Sequence, residues 1–387
     1  MSATQPASAL ACQRDAFALP PGTHYLNCAY MSPLAHRVER AGVRGLRRKR
    51  APHTIEPSDF FRDGNRVRRR AADLINAESP DRIALVPSVS YGVAVAARNT
   101  PIDRGQSIVL ATEQFPSNVY LWRRLARDAG AELRVVGRLG VGAEPSITDA
   151  VLDAIDATTS VVALGTVHWT DGTVLDTVAI GERARAVGAA YVLDGTQSIG
   201  ALPFDVRTVR PDALIVAGYK WLLGPYGIAF AYYGERYADA TPIEEPWIVR
   251  EGSEDFRALV DYRDAYRPGA LRFDGGGMSN FITVPMLDAA IELLQEWTVP
   301  AIQAYCAELV APLRAAAAMR GWSVSSGASH IVGLRLPAGG DPSALRARMD
   351  AAGVSVSLRG SAVRVSPHVY NDEADVAALI AVLEEML

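Results

Sequence analysis

Lys220 is the one charged residue in an otherwise apolar run at residues 213–233, and its amine is the first group in the chain that suggests chemistry. Burying an ammonium group is costly unless the group is paired or neutralised. A lysine in apolar surroundings has a lowered pKa, and its neutral amine is a nucleophile toward aldehydes. A purely structural lysine is the alternative. A membrane span is disfavoured, because glycines and a proline interrupt the run and a span needs about 20 unbroken apolar residues.

Asp194 is a candidate acidic partner for this amine, since it ends a strand-like segment at 189–195 that precedes Lys220 by one strand–connection–strand unit. A plain ion pair would explain the two residues. The alternative is a catalytic site in which both residues bind pyridoxal phosphate. The aldehyde of the cofactor would condense with Lys220, while the carboxylate of Asp194 would keep the ring nitrogen protonated. Gln197 is placed to hydrogen-bond the ring hydroxyl.

A phosphate group needs hydrogen-bond donors, and the start of a helix supplies them. Ser88, Val89 and Ser90 lie where a strand runs into a helix, so they offer two hydroxyls and backbone N–H groups. Serine is also a common helix N-cap, which is the simpler explanation of this triplet. Phe115 follows the next strand and could lie on the cofactor ring, although a core aromatic would look the same.

These residues have to be positioned by strands that alternate with helices. The seven strand-like segments are 82–88, 107–112, 132–138, 160–168, 189–195, 213–220 and 228–234. The helical patterns among them are 91–99, 118–129, 147–157 and 176–187. Continuous apolar strands separated by helices predict an α/β fold with a mostly parallel sheet of the seven-stranded type, sandwiched by helices. Ligands bind beyond the carboxyl ends of such strands. Ser88, Phe115, His168, Asp194 and Lys220 all lie there.

The domain organisation predicted from the pattern has three parts. Residues 1–22 are small, polar and punctuated by proline, and we expect a loose N-terminal arm. Residues 23–285 form the large domain, beginning with helices at 34–50 and 56–77, and its N-terminal segment partly packs on the small domain. Residues 286–387 form the small C-terminal α+β domain, and a long helical pattern at 284–320 spans its start.

Composition excludes several classes of protein. The 387 residues are 49% hydrophobic and 21% charged, with a net charge of −4, which argues against nucleic acid or an anionic membrane as a partner. Three widely spaced cysteines and the absence of a signal-peptide pattern predict a reducing, cytoplasmic compartment. The six histidines form no metal-binding pattern. No strand opens into GxGxxG, so a dinucleotide-dependent dehydrogenase lacks support.

Taken together, these residues resemble fold-type I, pyridoxal-phosphate-dependent enzymes of the aminotransferase class V family, which includes cysteine desulfurases, kynureninases and isopenicillin N epimerase-like proteins. The most specific block is DGTQ at 194–197 followed by AGYKWLLGPYG at 217–227. The resemblance makes Lys220 the Schiff-base lysine, Asp194 the partner of the ring nitrogen and Gln197 the contact of the ring hydroxyl. It also assigns Ser88, Val89, Ser90 and Tyr219 to the phosphate and Phe115 to the ring face.

The same resemblance implies a homodimer with shared active sites. LRFDGGGMSNF at 271–281 is similar to a family motif that reaches the phosphate of the partner subunit, with Gly277 in place of a threonine and Ser279 as a substitute contact. A glycine turn is the alternative. Arg364 matches the arginine that binds the substrate α-carboxylate, with a salt bridge as the alternative.

The remaining residues assigned from the resemblance border the substrate or the cofactor ring. Arg359 occupies a nearby arginine position of the family, and Asn27 begins the segment that lines the substrate entrance. His168 and Trp169 are expected beside the ring or the substrate, or simply in packing.

The predicted reaction is a transformation of an amino acid. We place transamination first and a β-lyase, cleaving C–S or Cα–Cβ bonds, second. Desulfuration through a protein thiol is disfavoured, because residues 350–370 contain no cysteine. A non-catalytic protein with this fold is a further alternative, and the presence of Lys220, Asp194 and Gln197 argues against it.

Overall fold

A computed structural model of the chain describes residues 10–137, 145–325, 327–336, 341–359 and 362–385. The helices are α1 (His36–Arg48), α2 (Asp59–Leu74), α3 (Val89–Arg98), α4 (Tyr120–Ala129), α5 (Ile147–Ala154), α6 (Thr177–Ala186), α7 (Val206–Val209), α8 (Thr283–Trp297), α9 (Val299–Met319), α10 (Pro342–Ala351) and α11 (Glu373–Glu384). The strands are β1 (His24–Tyr25), β2 (Ile83–Val86), β3 (Ser107–Ala111), β4 (Glu132–Val136), β5 (Thr159–Gly165), β6 (Ala190–Asp194), β7 (Ala213–Ala217), β8 (Ala229–Tyr233), β9 (Ser323–Val324), β10 (Val332–Arg335), β11 (Val354–Ser355), β12 (Ser357–Arg359) and β13 (Ala362–Val365).

Seven strands form the central sheet in the order β2-β8-β7-β6-β5-β3-β4. The pairs β7–β6, β6–β5, β5–β3 and β3–β4 are parallel, and only β8 runs against its two neighbours. Alternate residues of β3 enter two separate apolar clusters, with Val109 on one face and Ile108 and Leu110 on the other. Because both faces are covered, strands β3, β6, β7 and β8 are buried at every position. The predicted α/β fold with a mostly parallel seven-stranded sheet is confirmed.

Helix α3 approaches the sheet closely at Gly92. A Cβ atom at this position would lie 2.8 Å from Cγ2 of Ile215 on β7, so a larger residue would push the helix away. The start of α3 is therefore held near the carboxyl ends of the central strands, where the candidate phosphate residues were predicted.

A second, antiparallel sheet has the order β12-β13-β10-β9. Its inner face shares an apolar cluster with α9, α10 and α11. Strand β1 pairs in parallel with β11, so the N-terminal segment contacts the C-terminal part of the chain. The exact domain boundaries stay a prediction.

Two expectations about local structure were wrong. The helical pattern at 284–320 is two helices, α8 and α9, separated by Thr298 with φ +63°. Residues 10–22 do not form a loose arm, since Phe17 is buried with its ring 5.1 Å from that of Tyr370, and Arg14 Nη1 lies 2.9 Å from Asp375 Oδ2. Apolar burial and this ion pair hold the described part of the arm. Residues 1–9 lie outside the described part.

Asp274 and Arg68 form a buried ion pair that joins the segment before α8 to α2. Asp274 Oδ1 also accepts a hydrogen bond from Leu85 N, at 2.8 Å. Asp274→Ala would leave the guanidinium of Arg68 buried without its carboxylate, so we expect a loss of about 3–5 kcal/mol in stability. The midpoint of thermal unfolding measures this loss. The exposed Asp255→Ala serves as control, and equal midpoints for the two variants would contradict the prediction.

Candidate active site

The described part of the chain contains a cavity of about 190 Å³ at the carboxyl ends of the central strands. Lys220, Asp194 and Gln197 line it together with Phe115, Tyr219 and Trp169. Ser88, Val89 and Ser90 line it from the start of α3. Nine residues predicted from separate positions in the sequence therefore share one cavity.

Lys220 is positioned by a closed turn that follows β7. Gly218 N donates to Ile228 O at 3.0 Å, and Gly224 N donates to Gly218 O at 2.8 Å, so the two ends of the turn are joined. From outside the turn, Ser32 N donates to the carbonyl oxygen of Tyr219 at 3.0 Å. The backbone around the lysine is thus fixed by contacts from both sides.

The amine of Lys220 lies between aromatic faces. Its Nζ atom is 5.1 Å from the ring centroid of Phe115 and 5.5 Å from that of Tyr219, and the residue is only 6% exposed. Aromatic faces attract the cationic form of an amine, whereas burial disfavours that form. An amine so placed can reach an aldehyde inside the cavity while bulk water is largely excluded.

Asp194 is the acidic group of the cavity. Its Oδ1 atom accepts a hydrogen bond from Thr196 N at 3.0 Å. Burial raises the pKa of Asp194, while the hydrogen bonds from Thr196 and the charge of Lys220 act in the opposite direction. A buried carboxylate of this kind binds a protonated ring nitrogen well, because the pair shares one proton and the cation compensates the buried charge.

The start of α3 is suited to a phosphate. Ser88 is the N-cap and its Oγ accepts from Tyr91 N at 3.2 Å, which is the capping role considered in the sequence analysis. The first N–H groups of a helix have no intrahelical acceptor, and the helix dipole favours an anion there. Capping and phosphate binding are therefore compatible, because the anion would bind the N–H groups that the cap leaves. The residues of this cavity fit pyridoxal phosphate.

His168 does not line the main cavity among the described residues. It borders a smaller recess, of about 20 Å³, which Asp194 and Gln197 also border. Its Nε2 is 3.0 Å from Thr112 O, which can only accept, so Nε2 carries the hydrogen and Nδ1 accepts from Thr170 Oγ1 at 2.8 Å. Burial lowers the pKa of His168. Both nitrogens are hydrogen-bonded to protein atoms, and the predicted contact of His168 with the cofactor or substrate stays a prediction.

Arg364 lies behind Trp169, outside the residues that line the cavity in the described chain. Its Nη1 donates to Trp169 O at 2.7 Å and its Nη2 donates to Ser357 Oγ at 3.2 Å. Ser357 Oγ donates in turn to Asn27 Oδ1 at 2.8 Å, so the two predicted substrate residues share a partner. The indole of Trp169 lines the cavity and donates to Glu113 O at 2.7 Å. Arg359 is the last residue of β12, and its side chain lies outside the described part.

Gly277 and Ser279 are also outside this cavity. Gly277 has φ +81°, which suits the glycine turn considered as the alternative. Ser279 Oγ donates to Phe60 O at 2.8 Å. The role predicted for both residues concerns a second chain, and it stays a prediction.

Among the lining residues that were not predicted from the sequence, three have polar side chains: Ser117, Thr196 and Tyr226. Thr196 lies inside the DGTQ block, so the motif already indicated a position at the site. Its Oγ1 accepts a hydrogen bond from Ala217 N at 3.2 Å. Tyr226 packs its ring 4.5 Å from that of Tyr219. Tyr226 lies in a GPYG sequence, which predicts a turn and no contact with a ligand. Only the fold brings this turn to the cavity mouth.

The described residues contain no group of three or more candidate metal ligands. No helix among them combines the length and apolarity that crossing a membrane requires. All three cysteines are free thiols, with Cys28 and Cys306 buried and Cys12 exposed. Burial raises the pKa of both buried thiols, that of Cys306 to about 12. The cytoplasmic location expected from the cysteines stays a prediction.

The family model "Aminotransferase class-V" matches residues 56–379. The chain therefore belongs to the class V aminotransferase family, whose enzymes depend on pyridoxal phosphate.

Individual relatives have several activities in their names. Isopenicillin N epimerase of Streptomyces clavuligerus is 28% identical, over 87% of this chain and 89% of that protein. A probable cysteine desulfurase of Methanothermobacter thermautotrophicus is 33% identical over 54% of this chain, and the match spans about half of that protein, 52%. A solved cystine C–S lyase, in complex with its product cysteine persulfide, is similar with a TM-score of 0.84 and 18% identity, over 95% of this chain and 98% of that one. At that identity the likeness shows the fold alone.

Proposed function

We propose that this protein is a pyridoxal-phosphate-dependent lyase that eliminates a sulfur group from Cβ of an amino acid such as cystine. The observation that carries the proposal is the buried amine of Lys220 in one cavity with Asp194 and a helix start. When bound, the cofactor supplies the electron sink that weakens the bonds at Cα of an amino acid.

The names of the relatives support a lyase over a transaminase. Cysteine desulfurases recur among them, from the archaeal protein above to that of Synechococcus elongatus, which is 28% identical over 63% of this chain. From the sequence alone, transamination comes first and the lyase second, and the names of the relatives favour the lyase. An uncharacterised aminotransferase of Bacillus subtilis is 29% identical over 83% of this chain. Transamination is therefore the reaction that the experiment must distinguish from elimination.

The positions of the cysteines favour elimination over transfer of sulfur to a protein thiol. Cys28 and Cys306 are fully buried, and burial keeps their thiols protonated. Cys12 lies beside Asn371 O and is outside the residues that line the described cavity. A thiol transfers sulfur only as an accessible thiolate. The sulfur would therefore leave the active site in a small-molecule product and would not be transferred to a thiol of the protein.

Each residue that lines the cavity would have its own role in the elimination. Lys220 would take the proton from Cα, the Cβ–S bond would break with its electron pair on sulfur, and water would complete the reaction to pyruvate and ammonia. Asp194 would hold a proton on the ring nitrogen. Phe115 would cover the ring face, and the start of α3 would bind the phosphate.

The test is a panel of amino acids, including cystine and cysteine, given to the reconstituted enzyme. Elimination predicts ammonia and pyruvate in equal amounts together with a released thiol or persulfide. An oxo acid with pyridoxamine phosphate and no ammonia would replace the proposal with a transaminase. Loss of optical activity without either product would replace it with a racemase or epimerase.

Arg364 gives a prediction about substrate binding. If its guanidinium binds the α-carboxylate, Arg364→Met should raise KM by about 10- to 100-fold, because a hydrogen-bonded charge contributes about 1.5–3 kcal/mol. The exposed Arg346→Met, which loses only a surface ion pair with Asp350, is the control. Steady-state kinetics separates KM from kcat. A KM that is unchanged in Arg364→Met would return this residue to a structural role.

We further propose that the functional unit is a homodimer. Tyr226 at the cavity mouth is 69% exposed in the single chain, and the predicted partner contacts, Gly277 and Ser279, do not line the described cavity of their own chain. A second chain that covers the mouth would enclose the phosphate. Sedimentation of the reconstituted enzyme would test this, and a monomer with full activity would contradict it.

A further inference from the structure

The side-chain amide of Gln197 is hydrogen-bonded at both ends. Trp221 Nε1 donates to its Oε1 at 2.8 Å, and its Nε2 donates to Ala29 O at 3.2 Å. Gln197 is 5% exposed and Trp221 is completely buried. Both contacts are therefore made away from bulk water, where a hydrogen bond contributes more than at the surface.

These two partners fix which way the amide faces. An indole N–H can only donate and a backbone carbonyl can only accept, so the oxygen of Gln197 must face Trp221 and the nitrogen must face Ala29. The amide nitrogen carries a second hydrogen. Because Gln197 lines the cavity, this hydrogen makes Gln197 a donor toward whatever oxygen lies beside it.

Trp221 is itself held by a buried histidine. The ring of His330 meets the indole edge-on, with 4.6 Å between the centroids. His330 Nε2 lies 2.7 Å from the carbonyl oxygen of Gln197, so Nε2 carries the hydrogen, and Nδ1 accepts from Gln303 Nε2 at 3.0 Å. The same imidazole therefore contacts both the backbone of Gln197 and the indole that orients its side chain.

We propose that Trp221 is a positioning residue that keeps Gln197 a hydrogen-bond donor toward the ring oxygen of pyridoxal phosphate. A phenylalanine would fill most of the same space, and only the indole supplies the N–H that orients the amide. The inference rests on the cofactor assignment and is independent of the reaction class.

The consequence is visible in the spectrum of the bound cofactor. A donor to the ring oxygen stabilises its anionic form, and a stabilised anion holds less tightly the proton that it shares with the Lys220 nitrogen. Without the donor, that proton is held to higher pH. The midpoint at which the visible absorption band titrates should therefore rise.

The neighbouring titratable groups in the described chain do not obscure this titration. His330 and His368 face the indole, and burial lowers their pKa values to about 4 and about 3. Cys28 contacts the carbonyl oxygen of Lys220, and burial raises the pKa of its thiol. Asp194 and Lys220 are the proposed direct partners of the cofactor, so their protons are part of the titration that is measured. The two histidines and the thiol stay neutral between roughly pH 6 and 9.

The experiment records visible spectra of the full-length holoenzyme against pH. We expect Trp221→Phe to raise the midpoint by about 0.5–1 pH unit, as the loss of one hydrogen bond implies. Trp322→Phe, at a buried indole in the core of the second sheet, is the matched control and should leave the midpoint unchanged. Gln197→Leu should raise the midpoint at least as far as Trp221→Phe does.

The double variant separates positioning from packing. If Trp221 acts through Gln197, Trp221→Phe adds nothing to Gln197→Leu, because the two act on one interaction. Additive shifts, or an unchanged midpoint in Trp221→Phe, would overturn the proposal. Should Trp221→Phe fail to fold, Trp221→His keeps a ring N–H, and its midpoint should lie between wild type and Gln197→Leu; a midpoint equal to that of Gln197→Leu would overturn the proposal. All these spectra need a bound cofactor and no turnover, so they are separate from the test of the lyase.

Discussion

Lys220→Ala is expected to lower turnover by at least about 10³-fold and to abolish covalent attachment of the cofactor. Lys220 Nζ is the amine of the cavity, 5.1 Å from the ring centroid of Phe115, and in the proposed reaction it also moves the Cα proton. Losing it removes two functions at once. Activity assays and the visible spectrum of the dialysed protein measure the two effects separately.

The chain offers a matched control for this variant, because it contains only two lysines, Lys49 and Lys220. Lys49 is exposed, just beyond the last residue of α1. Lys49→Ala should keep both the activity and the absorption band. If Lys220→Ala retained more than about a tenth of wild-type turnover, the amine would not be the base and the structural alternative for Lys220 would stand.

Asp194→Asn is expected to lower turnover by about 10²- to 10³-fold, as the loss of one preorganised electrostatic group does elsewhere. The amide keeps the shape of the carboxylate and cannot compensate a proton on the ring nitrogen, so the cofactor becomes a weaker electron sink. Because burial already raises the pKa of Asp194, the group is poised to share that proton. Turnover under saturating cofactor measures the loss.

A buried aspartate outside the cavity controls for general destabilisation. Asp375 on α11 binds Arg14, His24 and Asn371. Asp375→Asn should lower the unfolding midpoint and leave the spectrum of the bound cofactor unchanged. Turnover of Asp194→Asn within about two-fold of wild type would show that Asp194 is only an ion-pair partner, as the simpler interpretation of the sequence held.

The sheet was predictable because its strands are short continuous apolar runs separated by helical patterns. The break between α8 and α9 was harder to see, since apolar residues continue through it. Pro300 gave a signal, because proline is favoured in the first turn of a helix and disfavoured in the interior. The docking of residues 10–22 was not predictable, since it depends on Phe17 meeting Tyr370 at the far end of the chain.

The candidate site was predictable where one motif carries several roles. DGTQ and the residues around Lys220 identified the cavity, and the structure brings them together with Ser88 and Phe115. The hydrogen-bond partners of His168, Thr112 and Thr170, could not be predicted because only the fold places them beside the imidazole. The orientation of Gln197 was invisible for the same reason, since Ala29 and Trp221 reach it from distant parts of the sequence.

The most direct test of the central claim is to reduce the reconstituted enzyme with borohydride and locate the cofactor by mass spectrometry. Reduction converts the bond between the cofactor aldehyde and an amine into a stable secondary amine. With only two lysines in the chain, the result is nearly binary. We predict one cofactor per chain, on the peptide that contains Lys220. A cofactor on Lys49, or no covalent adduct in protein that retains its colour, would contradict the account.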